Sequence, residues 1–405
     1  MRTSRLDRVW REHWAVHALS PVVTADVGEL RARFAEFMEA NPADPLSCIL
    51  SDDATRWLPV PAAQREVHAT QVIVDGIDLD DTPDPYAVLP AHRPPTGYRP
   101  PFRMVVGRRS ILFYVNHVIG DVMVITQLTS QLAQGNFVGL IAGARFGVPL
   151  LVKMTATQSL VHGRGWMRHR RPAAARDCDG GQDQVIEDAD TVAVGVLLDA
   201  DRYREFKEWR DIHCGDLSVT ALMAAATYRA FQLEGLPVAG DGLYVLLDLR
   251  RYLPPAYARL PGNMAVSVLV NTALSDPVRI SRDLRALIRS AIAIPALLKG
   301  VVLQSFSRRL PFGPRRGAGG CGNSVRMTFN SMQRNPGIAT IPWLDRSRAR
   351  YMGMSYPIAP NGISVFACIV DDRMEFSASF RSDVLDRAAV QRALNRLQDM
   401  PGLLE

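Results

Sequence analysis

His117 and Asp121 stand four residues apart in the stretch FYVNHVIGDVMV. An imidazole titrates near neutrality, so a histidine that meets substrate can take a proton from an attacking hydroxyl or amine and return it later. The carboxylate four residues on can orient the imidazole or cap a helix. Two readings fit the pair: a general base at a substrate-facing turn, or a buried, hydrogen-bonded histidine followed by a capping aspartate.

Other residues invite chemistry less directly. Asn330 and Ser331 end a strand-like run, VRMTFNSM, where an amide or hydroxyl could hold an oxyanion or simply cap a loop. GAGGCG, from Gly317 to Gly322, has the spacing of a dinucleotide fingerprint but follows PFGPRR and precedes a strand, so it reads as a loop. Arg308, Arg309, Arg315 and Arg316 flank it, and Arg164, Arg168, Arg170 and Arg171 crowd an earlier stretch. Either group could meet phosphates or an acidic protein face, and solvated loop charge explains both as well. Cys48, Cys178, Cys214, Cys321 and Cys368 form no close pair, which points to reduced thiols and neither a redox motif nor a metal knuckle. No metal site is apparent, and no serine or cysteine stands in a nucleophile elbow.

The elements around His117 must hold it in place. Ile111 to Val115 are apolar without break, as in a strand buried on both faces. Gly120 and Asp121 interrupt this run, and Val122, Ile125, Leu128 and Leu132 then recur at helical spacing. His117 is thus expected where a buried strand ends and a helix begins. Upstream, Leu30, Phe34, Phe37 and Met38 share one helical face, between strands expected at SPVVTADV and PLSCIL. PYAVLPAHRPPTGYRPPFR holds six prolines and is expected to run extended.

From Gly163 to Gln184 the chain loses apolar periodicity and gathers charge, Pro and Gly. The expected division is an N-terminal lobe over 1–165, a linker over 166–188 and a C-terminal lobe over 189–405. The second half restarts with strands at TVAVGVLLDA, GLYVLLDLR, MAVSVLVNTAL, VRMTFNSM, ISVFACIVDD and RMEFSASF. Its helices are expected at SVTALMAAATYRAFQLEG, SRDLRALIRSAIAI and LDRAAVQRALNRL, with Gly235 just past the first of them. IPALLKGVVLQSFSRRLPFG is apolar and then basic: a core helix leading into a loop, a segment that touches a membrane, or cover for an oily acyl chain. The fold class is α/β, with each half a mixed sheet covered by helices.

Composition agrees. Of 405 residues 47% are apolar and 22% charged, a globular balance. The net charge of +6 rests on scattered arginines with no accompanying nucleic-acid motif, so no nucleic-acid partner is expected. The first residues carry charge and tryptophan where a signal peptide needs an apolar run. The longest apolar stretch, Phe137 to Val152, contains Arg145 and Pro149 and is too short to span a bilayer. A cytoplasmic protein without a transmembrane segment is expected.

The segment PPFRMVVGRRSILFYVNHVIGD resembles the central part of the chloramphenicol acetyltransferase-like superfamily, which includes condensation domains, wax ester synthases and polyketide-associated acyltransferases. There the motif usually reads H-H-x-x-x-D-G. Here Asn116 replaces the first His and Val122 the final Gly. VLLDLRRYLP followed by LPGNMAVSVLV, and VRMTFNSM, look like later family segments. The resemblance implies two lobes with a tunnel between them, His117 at its midpoint as base, and Asp121 paired with an arginine, for which Arg250 is the match. Asn330 and Ser331 would approach His117 from the second lobe, and the backbone N–H of Val122 would serve a developing oxyanion. Gly262 and Asn263 would shape a turn.

The implied activity moves an acyl group from a thioester, acyl-CoA or a phosphopantetheine-linked acyl or peptidyl carrier protein, to a small hydroxyl or amine acceptor, with no bound cofactor. Two rivals remain: a non-catalytic module that docks a carrier protein or a tethered intermediate, and a related enzyme turned to cyclisation.

Overall fold

Pro21 and Asp26 decide where the first strand stops and the first long helix starts. Proline lacks the N–H a ladder needs, and the Asp26 carboxylate accepts from the Gly28 and Glu29 N–H groups ahead of the helix Val27–Ala40. The strand therefore lies earlier than expected, at Trp14–Ser20, and SPVVTADV is not a strand beyond Ser20. In the computed structural model the described residues are 1–8, 10–11, 13–76, 78–140, 147–169, 191–255, 260, 262–306, 324–333, 335–357 and 361–405.

The chain divides into two compact units that are each discontinuous in sequence. The first comprises 1–147, 259–264 and 334–355; the second comprises 148–258, 265–333 and 356–405. This differs from the expected 1–165, 166–188 and 189–405. Residues 148–169 form one helix that belongs to the second unit, and the strand Arg350–Ser355 returns to the first. The break in periodicity past Gly163 was a poor guide, because a helix can run into it. GAGGCG, its flanking arginines, Cys178 and Cys321 lie outside the described residues, as do most of the expected linker and the side chains of Arg164, Arg168, Arg170 and Arg171.

In the first unit a five-stranded sheet has the order Arg350–Ser355, Trp14–Ser20, Ile111–Asn116, Phe102–Val106, Ile73–Asp75. Its neighbours are antiparallel except the last pair, which is parallel. Ile111–Asn116 is the central strand and every residue in it is buried, as its unbroken apolar run requires. Leu30, Phe34, Phe37 and Met38 form the buried stripe of the helix Val27–Ala40. The proline-rich stretch is not wholly extended. Asp84 caps a short helix, Pro85–Ala91, in which Pro85 takes the first position, where a missing N–H costs nothing. PLSCIL narrows to the strand Cys48–Leu50 after a turn capped by Asp44.

In the second unit a six-stranded sheet has the order Thr191–Leu198, Arg373–Arg381, Gly362–Val370, Val325–Met332, Val238–Asp248, Ala265–Asn271. Val325–Met332 runs parallel to both neighbours and the other pairs are antiparallel, so the sheet is mixed. The helix Val219–Leu233 is alanine-rich and buried without break from Ala221 to Tyr228, which lets the helices Pro277–Ser290 and Arg387–Arg396 pack closely on it. Gly235 ends it with φ of 68°, in the left-handed region that glycine adopts freely. The apolar part of IPALLKGVVLQSFSRRLPFG forms the helix Ala293–Phe306, with Ile294 and Leu297 buried. Among the described residues no helix is long and apolar enough to cross a membrane.

Candidate active site

Asn116 closes the central strand of the first unit. It is buried and uses both ends of its amide: Nδ2 donates to the Arg11 carbonyl at 2.8 Å, and Oδ1 accepts from the Val118 N–H at 2.9 Å. Asn116 thus folds the chain back at the strand end. A turn follows, in which the Gly120 N–H donates to the His117 carbonyl at 3.2 Å. A Cβ on Gly120 would lie 2.7 to 2.9 Å from the Val124 side chain, so only glycine admits this close approach.

His117 is half-buried at the start of this turn. Its Nδ1 lies 3.2 Å from the Gly120 carbonyl oxygen, and its own N–H donates to the His13 carbonyl at 2.9 Å. A carbonyl can only accept, so Nδ1 carries the proton and Nε2 keeps its lone pair in the neutral ring. Burial, with a lesser contribution from His13, pushes the imidazole down to about 4, against a small upward pull from the Gly120 carbonyl. The ring is therefore neutral at physiological pH. Trp10 lies beside it, with ring centroids 5.7 Å apart, and also meets His13 edge-on at 5.4 Å.

Asp121 caps the helix Val122–Ala133. One carboxylate oxygen accepts from the Met123 N–H at 3.2 Å, and the other accepts from the Met264 N–H at 2.8 Å. Asn263 donates through Nδ2 to the His117 carbonyl at 2.7 Å and to Asp7 Oδ1 at 2.8 Å. Asp7 in turn accepts from Ser4 Oγ at 2.6 Å. Residues 262–264 thereby clasp both ends of the turn: Asn263 holds the His117 end and Met264 the Asp121 end. Gly262, with φ of 133°, lets the chain make this approach. Asn263 is expected only to shape a turn, and its reach to His117 is what sequence reasoning missed. A polar residue that is buried outright, as Asn263 is, needs partners, but sequence does not say which.

Val122 opens the helix. Among the described residues nothing accepts its backbone N–H, one of the donors a helix leaves unpaired in its first turn. On the neighbouring strand, buried His17 is hydrogen-bonded through Nδ1 to the Tyr351 hydroxyl. Burial first, then the charge on His117, pushes His17 down to about 3. Neither His17 nor Tyr351 is a candidate from spacing, since Tyr351 arrives 334 residues later in the chain.

The remaining expected residues belong to the second unit. Arg250 is not on a strand but in a turn of 3-10 helix, Leu249–Tyr252. Burial separates it from the adjacent Arg251: Arg250 is largely buried and Arg251 exposed. Its Nη1 donates to Asp248 Oδ1 at 3.2 Å. Asn330 and Ser331 are half-buried within the strand Val325–Met332, beside Phe366 and Ala367. The Ser331 hydroxyl accepts from Gln333 Nε2 at 3.0 Å. Among the described residues no cluster of histidine, cysteine and acidic side chains could hold a metal ion.

No protein-family model and no curated protein matches this sequence. Solved structures do match along nearly the whole chain. The trichothecene 15-O-acetyltransferase of Fusarium sporotrichioides superposes with a TM-score of 0.61 at 12% identity, over 99% of this chain and 95% of that one. The first condensation domain of the calcium-dependent antibiotic synthetase, in complex with a substrate analogue, gives 0.58 at 14% identity, over 100% and 96%. TRI101 of F. graminearum, complexed with ethyl coenzyme A, gives 0.56 at 11% identity, over 98% of both chains. Identities this low speak for architecture alone: this chain adopts the mixed α/β fold of these acetyltransferases and of the condensation domain.

Proposed function

We propose that this chain is an acyltransferase that moves an acyl group from a thioester, of coenzyme A or of a carrier protein, to a small hydroxyl or amine acceptor, with His117 as general base. The observation that carries the reading is the Nδ1 contact to the Gly120 carbonyl, which leaves Nε2 as the basic nitrogen of a neutral ring. Nε2 takes the acceptor's proton as its oxygen or nitrogen attacks the thioester carbonyl. The oxyanion of the tetrahedral intermediate accepts from the Val122 N–H, a donation that needs no particular side chain. The C–S bond then breaks, and the thiolate takes the proton back from Nε2. No covalent enzyme intermediate is involved.

A ring held near 4 is a weak base, but it is unprotonated at every physiological pH, so no proton has to be lost before turnover. Asp121 is a positioning residue: it fixes the turn through the Met123 and Met264 N–H groups and does not exchange protons. The pairing of Asp121 with Arg250 that the resemblance implies belongs to this reading, and so does service of Asn330 or Ser331 to the substrate. Two solved structures of the same fold support the choice of reaction, an acetyltransferase and a protein complexed with ethyl coenzyme A.

The test is turnover of a panel of acyl thioesters with alcohol and amine acceptors, followed by intact mass. His117→Ala and His117→Asn should both lose transfer, and the asparagine variant, whose Nδ2 can still donate to Gly120, should keep the wild-type melting temperature. A folded variant with undiminished transfer would remove His117 from the mechanism.

A further inference from the structure

Four arginines converge on one cavity in the first unit, far in character from the neutral surroundings of His117. The cavity has a volume of about 400 Å³ and is lined by Arg2, Thr3, Arg5, Arg8, Thr55 and Arg56. Two separate backbone features force like charges together there. Arg2 and Arg56 face each other across an antiparallel bridge, with the Thr3 N–H donating to the Thr55 carbonyl at 3.0 Å and the Trp57 N–H to the Met1 carbonyl at 2.8 Å. These two bonds flank the pair, which makes it the non-hydrogen-bonded kind in which side chains stand closest. Like charges directly opposite in this way repel. Arg5 and Arg8 lie three residues apart on one helical turn, a second unfavourable like-charge pair.

Local acids do not offset the charge on three of these arginines. Among the described residues Arg2, Arg5 and Arg56 have no carboxylate within ion-pair distance. Asp53 is the acid whose charge reaches Arg8, and its carboxylate already accepts from Ser51 Oγ, the Thr55 N–H and Thr55 Oγ1. Asp7, on the same helical turn, is buried and accepts from Ser4 and Asn263. Burial, and next the neighbouring Arg5, push the Arg8 guanidinium below its ordinary value. A cavity built this way stores repulsion that an anion would relieve. Guanidinium forks match the paired oxygens of a phosphate better than they match a halide or a single carboxylate.

We propose that this cavity is a binding site for a phosphate-bearing small molecule, held by Arg2, Arg5, Arg8 and Arg56. Its concave form and volume suit a diphosphate or phosphomonoester with part of the attached group, and not the broad face of an acidic protein. The site stands on its own observations and does not depend on the role of His117. The phosphate can be free or part of a larger molecule such as a phosphorylated thioester donor, and the two sources are separated by experiment.

Inorganic pyrophosphate is titrated into the full chain by calorimetry at fixed ionic strength, with acetate as control anion. Saturable binding of pyrophosphate and none of acetate is expected, and the Arg2→Gln/Arg56→Gln double variant should bind at least tenfold more weakly. Arg204→Gln/Arg282→Gln, at exposed arginines elsewhere, should bind as wild type does. Because all the substituted arginines are exposed, the variants should fold; in phosphate-free, low-salt buffer Arg56→Gln should melt at or above the wild-type temperature, since it removes repulsion. Competition then assigns the source: coenzyme A displacing pyrophosphate in wild type but not binding through this site in the double variant makes the donor's phosphates the ligand, and coenzyme A that leaves pyrophosphate in place makes it a free phosphate. Binding that is equal for acetate and pyrophosphate, or that survives in the double variant, overturns the proposal.

Discussion

Two histidines in the first unit, one within a strand and one just past the end of the neighbouring strand, show how position changes the setting of a neutral imidazole. His17 sits mid-strand, opposite Phe113 and Gly353, with its Nδ1 taken by the Tyr351 hydroxyl. His117 sits one residue past a strand end, with its Nδ1 taken by a backbone carbonyl three residues on. Both are held neutral by burial, at about 3 and about 4. The difference lies in what surrounds the rest of the ring: His17 is buried among strands, whereas His117 is half-buried in a turn clasped by residues 262–264. A neutral imidazole is common inside proteins; one whose tautomer is fixed at an accessible turn is not.

The largest expected effect breaks this comparison directly. His117→Asn should reduce acyl transfer by about 10²- to 10⁴-fold, the usual worth of a general base, with the melting temperature kept. His17→Gln should do the reverse, lowering stability through a disturbed bond to Tyr351 while leaving kcat within a few-fold of wild type. Transfer rates and thermal melts of the two variants check this, and equal losses of activity would erase the distinction. Next in size is Asn263→Ala. It strips one donor from the His117 carbonyl, which keeps the Gly120 N–H, and one from Asp7, which keeps Ser4 Oγ, and each lost hydrogen bond costs about 1 kcal/mol. Both a lower melting temperature and a lower kcat are expected, because the same side chain holds the turn; a stable, fully active variant would show that the clasp does neither.

Much of the fold is legible in the sequence because burial writes itself as periodicity. The strand Ile111–Asn116 and the helix after it follow from an apolar run, a Gly-Asp break and helical spacing, and Asp121 is the cap expected. The strands of the second unit follow for the same reason. The first strand was displaced because WAVHALS carries a buried histidine at an inward position, which breaks its apolar signal, while SPVVTADV offers β-branched residues around a proline. Arg350–Ser355 escapes notice because RYMGMS has little β-branched character, and its place beside Trp14–Ser20 is fixed only by tertiary pairing. In the site, His117 and Asp121 were readable as a local pattern. Asn263, Met264 and Tyr351 were not, since each meets its partner across more than a hundred residues.

The pH dependence of stability sharpens the comparison further. His17, His68 and His117 are each held below the ordinary 6.5, to about 3, 4 and 4, by burial first. Between pH 6.5 and about 4 the unfolded chain therefore binds more protons than the folded one, so stability falls as the pH falls. Each group contributes up to about 1.4 kcal/mol per pH unit in that window. Carboxylates held low by hydrogen bonds, such as Asp53 at about 2, also bind fewer protons folded than unfolded and so act in the same sense, but in a lower window, around and below their ordinary 3.8. Denaturant melts at pH 7, 6, 5 and 4.5 should show a decline already under way between 6 and 5, and a shallower one in His17→Gln. A flat profile above pH 5 would mean that these rings are not held neutral by the fold.

The smallest expected effect concerns Val122, at the first position of the helix that follows Asp121. If the N–H alone serves the oxyanion, Val122→Gly leaves the donor in place and removes only a side chain at the first helical position. Glycine there costs at most about 1 kcal/mol of helix stability, since Asp121 still caps the Met123 N–H. Transfer rates should then stay within a few-fold of wild type for small and large acyl groups alike. A tenfold gain confined to large substrates would instead make the Val122 side chain a gate on acyl size, and would move that residue from bystander to the determinant of which thioester His117 meets.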